Sequence, residues 1–139
     1  MKEEERSVVG VRNAKGESRN GGKRDICERS FAFAGRIVRL CQTLDETRGV
    51  SRTLANQLLR SGTSIGANVE EAQAGQSRAD FAAKYSIACK EARETHYWLR
   101  LLVETRIVPE ERLADLRDES DQLIAILTTI IKKTKEKTK

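Results

Sequence analysis

Gln57-Leu58-Leu59-Arg60-Ser61-Gly62-Thr63-Ser64-Ile65-Gly66-Ala67-Asn68-Val69-Glu70-Glu71-Ala72 is the stretch that decides the fold. Its large apolar residues keep helical spacing, yet its middle is almost entirely small. Each Gly costs a helix interior about 1 kcal/mol relative to Ala, and this stretch holds two. A compensating contact is required. The simplest is close approach of a second helix where no bulky side chain can stand. Ser61, Gly62, Ser64, Ile65, Gly66, Ala67 and Asn68 therefore read as a helix-packing motif, expected to face Ala88 and Ala92 of the following helix. The block points to a packed helical assembly and carries no catalytic machinery.

Periodicity extends outward from this block. Leu54, Leu58, Ser61, Ile65, Asn68 and Ala72 alternate steps of four and three, one stripe of a helix over about 51–74 with Ser51 as its expected N-cap. Upstream, Ile26, Ser30, Phe33, Ile37, Leu40 and Leu44 predict a helix over 25–46, ending near Gly49. Downstream, Ser77 followed by Asp80 resembles a capping box. Phe81, Tyr85, Ala88, Ala92, Thr95, Leu99 and Leu102 then predict a helix over 78–106. Pro109 with Glu110 and Glu111 opens a fourth, over 109–135, striped by Leu113, Leu116, Ser120, Leu123, Leu127 and Ile130. No segment alternates with period two.

Four helices joined by short breaks force antiparallel neighbours. The expected fold is all-α, an up-down-up-down four-helix bundle over residues 24–139. Residues 1–23 are polar, Gly-rich and non-periodic, and read as a disordered N-terminal extension.

The chain has 139 residues and a net charge of +5. Residues 1–24 contribute +3 and residues 132–139 contribute +4, which leaves 25–131 at −2. Basicity belongs to the ends. The expected nucleic-acid contacts are Lys132, Lys133, Lys135, Lys137 and Lys139, with Arg19, Lys23 and Arg24 beside them; solvated, solubilising ends are the equally simple alternative. No run approaches the 18 apolar residues of a membrane span. The N-terminus lacks an apolar signal core, and Cys27, Cys41 and Cys89 have no C-x-x-C spacing. Cytoplasmic residence with reduced thiols is expected.

Enzyme readings fail on spacing. A di-iron bundle needs two Glu-x-x-His pairs, but the chain has one His, and Arg93 stands three before His96. The cysteines and His96 have no zinc-ligand spacing. The Gly-rich Ser61–Gly66 segment lacks the Gly-Lys-Ser/Thr of a P-loop. Gly62-x-x-x-Gly66 has the spacing of a membrane helix-dimer motif in far too polar a context. Nothing marks an activated nucleophile. No catalytic residue, metal, cofactor or small-molecule substrate is expected. Glu70, Glu71, Glu91 and Glu94, with Arg60, Lys84, Lys90 and Arg93, read as interhelical ion pairs. If Leu99 and Leu102 face the core, Tyr97, Trp98 and Leu101 point partly elsewhere and read as a subunit interface.

Gln57–Ala72, Ser77-x-x-Asp80-Phe81, Ile87-Ala88 and Lys90-Glu91-Ala92-x-Glu94-Thr95-x-Tyr97-Trp98-Leu99-x-Leu101-Leu102 resemble the bacterial four helix bundle protein family, also called the 23S ribosomal RNA intervening-sequence protein family. The resemblance covers about residues 25–131 and is most specific through 57–102. It implies a four-helix protomer assembling into a homopentamer. It also points to a related branch, the accessory protein of diversity-generating retroelements, whose basic barrel binds RNA and reverse transcriptase. The near-neutral body of this chain departs from that basic barrel. The expected function is a non-enzymatic, self-assembling scaffold or adaptor, with RNA or a ribonucleoprotein as the partner class left open. The alternative is an RNA-binding accessory factor of the retroelement kind.

Overall fold

The computed structural model describes residues 22–138 and contains four helices: α1 Gly22–Leu44, α2 Val50–Gln73, α3 Arg78–Glu104 and α4 Glu110–Thr138. No strand occurs among the described residues. The expected disordered extension lies outside the described residues apart from Gly22 and Lys23, which open α1. Each helix packs antiparallel on its sequence neighbour, and α1 closes the bundle against α4 along a looser seam. The up-down-up-down order follows from the connections, which are too short to let a helix cross the bundle.

The stripes read from the sequence form the core. Ile26, Phe33 and Ile37 of α1, Leu58 and Ile65 of α2, Tyr85, Leu99 and Leu102 of α3, and Leu113, Leu123 and Leu127 of α4 are all fully buried or nearly so. On α2 the stripe shifts by one residue at both ends: near its start Ala55 is buried at the position expected for Leu54. Near its end Val69 takes the core position expected for Asn68, whose amide donates to the Ser64 carbonyl of its own helix.

Helix ends follow local chemistry. The Ser77 hydroxyl accepts from the Asp80 N–H at 3.1 Å, the expected cap of α3. The expected Ser51 cap of α2 is corrected. Gly49, at φ 93°, precedes α2 and caps it without a side-chain bond, while Ser51 lies inside the first turn. The reversal between α1 and α2 needs that positive φ, which glycine supplies freely. Arg52 clamps the same turn, donating to the Asp45 carbonyl at 2.8 Å and pairing with its carboxylate at 3.1 Å. At the end of α3, Ile107 N–H bonds Leu102 C=O and Arg106 N–H bonds Val103 C=O, both at 3.0 Å. This is a complete Schellman motif with Arg106 at φ 63° where glycine usually stands.

Candidate assembly and nucleic-acid surfaces

The small-residue block sits mid-bundle and divides its contacts between two neighbours. A Cβ on Gly62 would lie 2.8 Å from Ile37 Cγ2, and one on Gly66 would lie 3.3 Å from the Ser30 backbone. Both glycines therefore face α1, which corrects the expected contact with Ala88 and Ala92. Those two alanines are buried in the core from α3. The reason is angular: at 100° per residue, Gly62 and Gly66 share one edge of α2, and Ser61 turns to the other. Ser61 meets α3, its hydroxyl oxygen 3.0 Å from that of Thr95, which donates to the Glu91 carbonyl at 2.8 Å. Both residues are fully buried. Ser61 and Thr95 thus satisfy one another across the α2–α3 interface, where an unpaired hydroxyl would be costly.

The rest of the motif has other surroundings. Ile65 is core. Ser64 is half-buried and donates to the Arg60 carbonyl at 2.8 Å, and Ala67 is exposed. Thr63 likewise donates to the Leu59 carbonyl. These hydroxyls bond their own helix, so the block stays helical without a partner at every position.

Charged pairs flank this seam through five of the eight residues read as interhelical pairs; among the described residues Glu70, Lys90 and Arg93 form no ion pair. Arg60 reaches Glu91 at 3.4 Å and also pairs with Glu94, whose Oε2 accepts from Trp98 Nε1 at 3.0 Å. Lys84 pairs with Glu71 at 3.1 Å. On the far side, His96 Nδ1 lies 2.8 Å from Ser120 Oγ, and Ser120 donates to the Arg117 carbonyl. With the serine proton so placed, Nδ1–H is the donor. His96 Nε2 is 3.6 Å from Asp121. Serine, histidine and acid meet here as a staple of α3 to α4: Ser120 is fully buried and offers no face to a substrate.

Trp98 is half-buried against the core, and Tyr97 stands edge-on to it at 5.1 Å and half exposed. Leu101 is partly buried, and with Tyr97 it lines an open groove with Arg100, Val103, Glu104 and Arg117. Among the tail lysines, Lys132, Lys133, Lys135 and Lys137 are exposed on a helix that continues to Thr138. Arg78 donates to the Lys137 carbonyl and ties that end to α3. Lys139 lies outside the described residues.

A family model described as 23S rRNA-intervening sequence protein matches residues 22–129. The chain belongs to that family. It is also similar to the crystal structure of a protein with unknown function from the S23 ribosomal protein family of Bacteroides thetaiotaomicron. The two are 42% identical with a TM-score of 0.75, and the match covers 81% of this chain and 99% of that one. No curated protein matches the chain.

The described part of this intervening-sequence family member offers no group of three His, Cys, Asp or Glu residues placed to hold a metal ion, and no described helix is long and apolar enough to cross a membrane. It does expose apolar side chains that sequence reasoning missed. Phe31 is 71% exposed, and Val38, two turns on along the same face of α1, borders a groove with Leu59 of α2. The signal was present in the sequence: Phe31 and Val38 form a second apolar stripe seven residues apart, outside the stripe that became core.

Proposed function

We propose that this chain is a non-enzymatic, self-assembling helical scaffold or adaptor that serves RNA or a ribonucleoprotein. The observation that carries the assembly part is the presence of two separate apolar faces on one protomer. One runs along α1 through Phe31 and Val38 and meets Leu59 of α2; the other lies on α3 at Tyr97, with Trp98 and Leu101 beside it. Exposed large apolar groups in such clusters mark interaction surfaces. Two unlike faces suit a head-to-tail contact, which closes into a ring, in keeping with the pentamer that family resemblance suggests. The RNA part draws support from the family description and from the exposed lysines of the α4 end.

The test is native mass measurement of the full chain before and after nuclease treatment. The parent is expected to run as a closed oligomer with bound nucleic acid. Phe31→Ser and Tyr97→Ser, both at exposed positions, are expected to lower the mass toward the protomer while helix content holds. A monomeric parent free of nucleic acid would overturn the proposal.

A further inference from the structure

Among the described residues three arginines are held by carboxylates, while others, Arg93, Arg100 and Arg117 among them, have no carboxylate within 4.0 Å. Arg29 forks onto Glu119 and Gln122, Arg52 onto Asp45, and Arg60 onto Glu91 and Glu94. Arg36, Arg39 and Arg112 belong with the second set. All three line one groove of about 430 Å³ between α1 and α4 that no carboxylate lines, and the Arg39 guanidinium lies back along α1 beside Gly35. No carboxylate oxygen among the described residues comes within 4.0 Å of any of the three. Glu119, the acid of α4 that does face α1, is already held by Arg29. The groove floor is Leu40, Leu113 and Leu116, and the Thr43 hydroxyl stands at its edge.

Three arginines lining one groove, with no carboxylate within 4.0 Å of them, favour an anion there. Their planar forks match phosphate oxygens, and an apolar floor accommodates the face of a sugar or base. The groove is shallow and open, which suits a passing strand better than an enclosed small ligand. We propose that Arg36, Arg39 and Arg112 hold the phosphodiester backbone of a single-stranded RNA along the α1–α4 groove. This rests on the RNA reading above and places the main contact away from the lysine tail.

The test uses the full chain and a fluorescein-labelled single-stranded oligouridine of about 20 nucleotides, read by anisotropy between about 50 and 200 mM KCl. The paired substitution Arg36→Gln with Arg39→Gln, and Arg112→Gln alone, are compared with Gln at Lys132, Lys133, Lys135 and Lys137. Circular dichroism confirms helix content. The paired arginine variant is expected to weaken binding about tenfold, and the slope of log K against log salt is expected to fall by about 0.7 per lost phosphate contact. Arg36→Lys with Arg39→Lys retains most of the slope, because the charges remain.

Arginine variants that bind like the parent, with only the lysine variant weakened, overturn the groove and leave the RNA reading standing. A parent that binds no RNA overturns both. Inorganic pyrophosphate provides the remaining arm. If it raises the melting temperature of the parent but not of Arg112→Gln, while RNA binding ignores the arginines, the groove holds a free phosphate compound and the strand proposal is overturned.

Discussion

Gly62 and Gly66 show how two local costs are weighed. Alanine at Gly62 regains about 1 kcal/mol of helix propensity. Its Cβ would also stand 2.8 Å from Ile37 Cγ2 and 3.0 Å from Cγ1, and Ile37 is fully buried and branched at Cβ. Overpacking of that kind costs about 1–3 kcal/mol. Gly62→Ala is therefore expected to lose about 1 kcal/mol net, and Gly66→Leu, driven against the backbone of Ser30, about 3 kcal/mol. Urea midpoints measure both, and a Gly62→Ala midpoint at or above the parent's would show that Ile37 yields freely. Arg106 presents the opposite case. Its left-handed conformation strains a residue with a Cβ, and the Schellman bonds keep it there. Arg106→Gly is expected to stabilise the fold by about 1 kcal/mol, since glycine adopts that conformation without the Cβ clash. The glycines in α2 announced a close approach from sequence alone. That the approach is to α1 was not legible, because small residues on both edges of α2 fit either neighbour.

At the scale of elements, periodicity located all four helices within three residues at each end. The error reached three residues at the start of α1 and at the end of α4, which extends to Thr138 although its last turns carry only Lys and Glu among polar neighbours. Lysines near a helix C-terminus complement its negative pole, and the bond from Arg78 to the Lys137 carbonyl holds that end. The caps divide by mechanism. Ser77 was legible because its hydroxyl does the capping, and Ser77→Ala is expected to cost about 1 kcal/mol in thermal or urea melts. An unchanged melt would mean that α3 begins on packing alone. Gly49 caps α2 through backbone conformation, which leaves no side-chain signature beyond the glycine itself. The α1–α4 seam, closed by Arg29 on Glu119 and opened beside Leu40 and Leu113, could not be read from either helix alone.

For the whole molecule, pH dependence follows from two buried acids. Burial, with Asp45 nearby, pushes the Cys41 thiol up from 9.0 to about 11, and burial pushes the Tyr85 hydroxyl up from 10.0 to about 12 despite its bond from Gln73. Below about pH 8 both groups are protonated folded and unfolded, so neither alters stability. Above it the unfolded chain releases protons that the folded chain keeps, and stability falls. Urea midpoints are expected to hold steady to about pH 8 and then decline through about pH 11, with Cys41→Ala flattening the early part of the decline. A steady midpoint across that range would show that neither group is shifted.

The sequence by itself determined the class of fold, the four helices, most core positions and the family. The family is legible in the residues of 57–102 themselves; the rest follows from spacing along one chain, where a 3.6-residue repeat places side chains on a face whatever lies opposite. Only the tertiary structure decided which neighbour the glycines meet, that Val38 borders a groove with Leu59, and that Arg36, Arg39 and Arg112 line another. Those facts depend on the rotation of each helix about its axis and on the antiparallel register between helices. Residues 76 positions apart become neighbours there, and no local pattern records it.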